Sequence, residues 1–206
     1  MVLLMTVSTA LCGGSWSSVA LVFLASAAGQ ATVGWTNDVH DAAADRAAGR
    51  ANKPTVRGEL RPEDLRLPIL ASATLTIPLS FLAASWVGGA AHIAAVASAL
   101  VYNFFLARTV WSWVPYAVSF ALMPAFIAQA SSPTVWPAFP LVLLSVLVGV
   151  TAHLLNAIPD IDIDRETGWG GLAVSLGKRR SGVLVVVLVI VGGACLGVVI
   201  NDVLVG

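Results

Sequence analysis

Charge is what this sequence lacks most. Only 11% of its 206 residues are Asp, Glu, Lys or Arg, while 58% are hydrophobic. Soluble domains carry about 25% charged residues, so a water-facing exterior cannot be covered from this supply. The 11 basic residues balance the 11 acidic ones, leaving no net basic field to attract nucleic acid. Cysteine is scarce as well. Cys12 and Cys195 each sit in an apolar run, which excludes a disulfide scaffold and a cysteine-based metal framework. The apolar content excludes a disordered chain. What remains is an all-α integral membrane protein, and the length suits a single transmembrane domain over residues 1–206.

The few charges are confined to two places. None occurs in residues 1–37, and twelve fall between Asp38 and Arg66. Eight more fall between Asp160 and Arg180, which leaves only Arg108 and Asp202 elsewhere. A bilayer core about 30 Å thick takes roughly 20 helical residues to cross. The uncharged stretches 67–107 and 109–159 therefore hold two crossings each, divided near Gly88-Gly89 and Ser131-Ser132-Pro133. The expected spans are 17–37, 67–87, 89–107, 112–130, 137–158 and 182–201. Residues 1–13 add a hydrophobic piece too short to cross comfortably, for a bundle of about seven helices. Trp16, Trp35, Trp86, Trp111, Trp113 and Trp136 fall at or near the expected span ends, where an amphipathic ring sits at the interface.

Four spans separate the two charged segments, expected as loops over about 37–66 and 156–181. Four is even, so both segments and Arg108 share one membrane face, which then carries every Lys and Arg. The positive-inside rule makes that face cytoplasmic, in a multi-pass plasma or inner membrane protein.

Each charged segment opens on an Asn followed by aspartates at helical spacing. Asp38, Asp41 and Asp45 stand at i, i+3 and i+7, which puts three carboxylates on one helix face. Like charges so stacked repel, so a cation should lie among them. Asp160 and Asp164 stand at i and i+4, with Asp162 pointing elsewhere. Carboxylates without Cys or His partners select a hard cation, Mg²⁺ before Zn²⁺, and Mg²⁺ usually joins one or two carboxylates to substrate phosphates. Two such clusters on one face suit a diphosphate held between them, with Arg50, Lys53, Arg57 and Lys178 as basic partners. The plainer alternative is that these are acids favoured in the first turns of solvated helices. His92 and His153 fall within spans, where helix-to-helix hydrogen bonding is the commoner role. Arg179 and Arg180 suit anionic lipid headgroups.

At these residues the chain resembles the UbiA superfamily of intramembrane prenyltransferases. The family motif N-D-x-x-D-x-x-x-D is matched by Asn37, Asp38, Asp41 and Asp45, and its D-x-x-x-D by Asp160 and Asp164. Asn52-Lys53-Pro54, Tyr102-Asn103, Pro115-Tyr116 and Gly168 also resemble family positions. The resemblance implies nine transmembrane helices around a cavity that opens laterally to lipid. It implies Mg²⁺ on Asp38, Asp41, Asp45, Asp160 and Asp164, with Asp38, Asp41, Asp160 and Asp164 catalytic. Asn37, Arg50, Lys53, Asn103, Asn156 and Lys178 are then the diphosphate contacts. The implied partners are a polyprenyl diphosphate, a small acceptor and membrane lipid. Against nine family helices, one short and six full spans are expected here. That points to a fragment, a degenerate relative, or a compact form that closes as a homo-oligomer. The competing functions are a terpene cyclase on the same scaffold and a remnant acting only through interactions. A transporter is disfavoured because the acids sit at the membrane boundary, not the midplane. A CDP-alcohol phosphatidyltransferase is disfavoured because its D-G-x-x-A-R signature is absent.

Overall fold

The computed structural model describes residues 1–47 and 53–205, and among these the chain is helical, with no strand. A short helix α1 (Val2–Leu11) precedes α2 (Trp16–Ala47). Then come α3 (Pro54–Arg57), α4 (Arg66–Ala83), α5 (Trp86–Val101), α6 (Trp113–Ser131), α7 (Phe139–Ala157), α8 (Ile161–Glu166) and α9 (Leu172–Val205). Counting the turns that extend them, six helices are long and apolar enough to cross a membrane. The expected six full spans and one short piece are therefore present, and the chain is an integral membrane protein.

Two expected loops turn out to be helical in part. At 1.5 Å per residue the 32 residues of α2 reach about 48 Å, well beyond a hydrocarbon core of about 30 Å. The helix thus carries the first aspartate cluster beyond the lipid on its own extension. Ala42, Ala43 and Ala44, the best helix formers, keep it wound between the aspartates. Trp35 accordingly lies within α2, not at its end. In the second segment, a 3₁₀ turn (Ile158–Asp160) and α8 continue from α7, and α9 begins ten residues before the expected span. Gly177, at φ 77° and ψ 164°, breaks α9 near its start, a conformation that glycine adopts without a Cβ penalty.

The bundle runs in sequence order. α2 packs on α4, α4 on α5, α5 on α6, α6 on α7 and α7 on α9, while α1 lies against α2 and α6. One buried cluster joins Met5 of α1, Val22 and Ala25 of α2 and Met123 and Phe126 of α6. A second sits under the second motif, where Leu154, Ile161 and Ala173 meet. Polar side chains within the spans pair between helices. Thr32 Oγ1 donates to Ser72 Oγ at 2.9 Å, and Ser80 Oγ and His92 Nδ1 are 2.7 Å apart. His92 also stacks on Phe126. Helices approach closely where a side chain is missing: a Cβ on Gly149 would lie 2.7 Å from Phe120 Cγ and 2.8 Å from the Tyr116 carbonyl oxygen.

Gly149→Leu should therefore force α6 and α7 apart and destabilise the bundle by about 1–3 kcal/mol, the usual cost of overpacking. Gly193→Leu, where a Cβ meets nothing within 4 Å, should leave stability unchanged. Thermal unfolding of both variants in detergent, followed by far-UV circular dichroism, measures the difference.

Candidate active site

Both aspartate clusters line one cavity of about 560 Å³. Asn37, Asp38, Asp41 and Asp45 form one wall on α2, and Asn156, Asp160 and Asp164 form the opposite wall. The four helices α4–α7 between the motifs carry the chain away from this face and back, so both motifs arrive at the same end of the bundle.

The first cluster contains the cation that its charge demands. Lys53 Nζ lies 3.1 Å from Asp38 Oδ1 and 2.8 Å from Asp45 Oδ2. Asp45 is 1% exposed, so this carboxylate has little water to share its charge. Burial lowers the Lys53 pKa, but hydrogen bonds to Asp45 and Asp38 outweigh it and hold the ammonium above its ordinary value. Lys53 is placed by α3, whose N-cap it forms. That helix is tied back to α2 by Arg46 Nη2, which donates to the Thr55 carbonyl at 3.0 Å.

Asn37 links this cluster to the rest of the cavity. With its amide oriented to satisfy both ends, it donates to Asp41 Oδ2 at 3.1 Å and to Asn103 Oδ1 at 3.3 Å. The same orientation lets it accept from Lys53 Nζ at 3.2 Å. Asn103 sits in a π-helical turn (Tyr102–Leu106) that follows α5. Such turns re-register side chains and recur at functional sites. Here Asn103 points inward, its Nδ2 donating to the Val33 carbonyl of α2 at 2.9 Å.

A strap joins the two walls at the mouth. The Arg108 guanidinium stacks 3.8 Å from the centroid of the Trp169 ring, and its Nη2 lies 3.8 Å from Asp41 Oδ1. Trp169, Gly170 and Gly171 follow the second motif and line the cavity. A Cβ on Gly170 would lie 2.3 Å from the Arg108 carbonyl oxygen, so this close approach requires glycine. Deeper in, Tyr102 and Tyr116 form a T-shaped pair at 5.3 Å, with the His153 ring 4.8 Å from Tyr116. His153 Nε2 and Ser112 Oγ are 3.0 Å apart, and Ser112 Oγ also accepts from the Leu172 amide. These bonds join the start of α6 to α7 and α9. The deep walls carry Val33, Ala99 and Phe120.

Of the residues expected from sequence, Asn37, Asp38, Asp41, Asp45, Lys53, Asn103, Asn156, Asp160 and Asp164 are brought together on this cavity. Arg50 lies outside the described residues. Lys178 departs from expectation: it is exposed and paired with Asp162, on the side of the second motif that faces away from the cavity. Arg57 pairs with its neighbour Glu59. The two tyrosines enter the sequence reading only as positions that resemble the family, and the Arg108–Trp169 strap is a functional candidate that motif reasoning did not rank.

The donor set fits Mg²⁺. It offers carboxylate and amide oxygens, and a cation already rests between two of the aspartates. Among the described residues no three acidic, His or Cys side chains converge to enclose an ion alone. That suits an ion held by one or two carboxylates and completed by water and phosphate.

Two aspartate-bearing helix ends around a polar-mouthed, apolar-walled cavity define an intramembrane helical protein with a carboxylate-rich polar site. Residues 1–204 match the UbiA prenyltransferase family, and the chain belongs to it. The fold is similar to that of a UbiA homologue from Archaeoglobus fulgidus bound to DMAPP and Mg²⁺. That match has a TM-score of 0.77 at 19% identity and covers 94% of this chain and 71% of that one. The same homologue bound to GPP and Mg²⁺ gives a TM-score of 0.74 at 18% identity, covering 94% and 71%. The apo UbiA homologue from Aeropyrum pernix K1 gives 0.74 at 17% identity, covering 93% and 74%. No curated protein matches the chain.

Because Gly170 carries the close approach at the mouth, Gly170→Ala should displace the turn that holds Trp169. Tryptic cleavage after the neighbouring exposed Arg165 should then speed up several-fold. Gly182→Ala, in open space, should leave the digestion pattern unchanged.

Proposed function

We propose that this protein transfers a prenyl group from an allylic prenyl diphosphate to a small acceptor, often aromatic, within the membrane, with Mg²⁺ as cofactor. The observation that carries the reading is the convergence of two aspartate motifs, 115 residues apart between Asp45 and Asp160, on one cavity at the end of a membrane bundle. Family membership and the allylic diphosphates bound with Mg²⁺ in the Archaeoglobus homologue support the same donor class.

In the proposed reaction the bond between the allylic carbon and the diphosphate oxygen breaks, and its electron pair leaves on the diphosphate. The allylic cation then bonds to an electron-rich carbon of the acceptor, which releases a proton. Asp38, Asp41, Asp45, Asp160 and Asp164 would hold Mg²⁺, which when bound supplies Lewis-acid neutralisation of the leaving group. Lys53 and Arg108 line or border the same mouth and add positive charge where the leaving oxygens gather. Asn37 and Asn103 fix the α2 carboxylates relative to the π-helical turn. The ring pair Tyr102–Tyr116 and the apolar deep walls keep water from a cation that it would quench. One transmembrane domain, with its motif face toward the cytoplasm, accommodates the whole reaction.

Purified protein in lipid should release diphosphate from geranyl or farnesyl diphosphate with Mg²⁺ and not with EDTA. Asp38→Ala and Asp160→Ala should each lower the rate roughly 100-fold or more, the scale of losing a charge-stabilising group. Release that persists in EDTA, or in both variants, would overturn the reading. Dependence of product on an aromatic acceptor panel distinguishes transfer from cyclisation.

The orientation has its own check. In a cysteine-free background, Glu59→Cys should react with a membrane-impermeant maleimide only from the cytoplasmic side. Trp136→Cys, at the other end of the bundle, should react only from outside.

A further inference from the structure

We infer that Lys53 is a built-in counter-ion that occupies the first aspartate cluster until a diphosphate draws it off, so that this half of the site takes a divalent metal well only together with diphosphate. The inference rests on the proposed function and concerns the order in which that site fills.

Three facts carry it. The Lys53 ammonium sits among the oxygens expected to hold metal, 3.1 Å from Asp38 and 2.8 Å from Asp45, and it donates to the Asn37 amide oxygen at 3.2 Å. Two cations repel at these shared oxygens, so a metal ion arriving alone must first draw the ammonium off the two carboxylates it bridges. Second, Asp41 also has a cation beside it, Arg108 Nη2 at 3.8 Å. Each aspartate of the cluster thus has a cation within 4 Å before any ligand arrives. Third, Lys53 is free to move its charge without moving its backbone. Its carbonyl is fixed by the amides of Val56 and Arg57 at 3.1 Å each, while the flexible four-carbon stem lets the ammonium swing within the same cavity. A diphosphate entering the mouth gives the ammonium new oxygens and vacates the carboxylates for metal. Each ligand thus makes room for the other, and such coupling is reciprocal.

Mn²⁺ retained by detergent-solubilised protein in equilibrium dialysis, against a protein-free side holding the same inorganic diphosphate, tests this without turnover. Wild-type protein should bind Mn²⁺ weakly alone and far more tightly with inorganic diphosphate. Lys53→Met should bind Mn²⁺ alone at least tenfold more tightly than wild type and lose most of the diphosphate enhancement. Lys53→Gln, which keeps hydrogen-bonding capacity without charge, should do the same and replaces the Met variant if that one aggregates. Unchanged or weaker Mn²⁺ binding by the folded variants, with diphosphate-dependent binding intact in wild type, would overturn the counter-ion role and leave the proposed function standing. No Mn²⁺ binding by any form, even with diphosphate, would overturn both.

Discussion

Everything at the polar end of this bundle follows from stacking three carboxylates on one face of one helix. Water relieves their mutual repulsion least at Asp45, which is almost fully buried. The chain answers with Lys53, delivered from beyond the helix by α3. Leaving a buried charge without its partner costs roughly 3–5 kcal/mol, so α3 is held against the end of α2 by electrostatics rather than by an apolar core. Such a cluster is stable only with a cation in it. A protein built this way is poised to exchange one cation for another.

The second constraint is topological. A carboxylate pair at 160 and 164 can face the first cluster only if an even number of crossings separates them, and α4–α7 supply four. Crossing the membrane brings the motifs to one face but does not align them. Alignment comes from close approaches: Gly149 lets α7 sit against Phe120, and Gly170 lets the post-motif turn sit on the Arg108 carbonyl. Arg108 then touches Trp169 from one motif segment and Asp41 from the other. One side chain thus spans the mouth and gauges the distance between the two walls.

The lipid-crossing architecture was legible in the sequence because hydropathy reports burial in lipid directly. Helix ends were not, because hydropathy marks where lipid stops and not where the helix stops. α2 continues past Asn37 since alanines and i, i+3, i+7 aspartates are as helical as the apolar run before them. α9 likewise starts among polar residues, at Leu172. The motif residues were legible because identity and spacing carry their chemistry. Lys178 lies off the cavity, paired with Asp162, because proximity in sequence to a motif does not say which face a side chain serves. The tyrosine pair and the Trp169 strap depend on how α5, α6 and the 167–171 turn pack, and no local pattern encodes that.

The position of the acids along the membrane normal completes the argument. A charged cluster at the midplane would have to be compensated entirely from within, as in transporters that move ions across. At the boundary, a diphosphate can arrive from the aqueous side while the attached hydrocarbon stays among Val33, Ala99 and Phe120. The same depth that suits an amphiphilic ligand also confines it: its polar end meets five aspartates and a lysine, and its apolar end has nowhere to go but inward or into lipid. In the proposed reaction the reactive carbon would therefore lie at the junction of the two environments, beside the rings of Tyr102 and Tyr116, with leaving oxygens neutralised on one side and water excluded on the other.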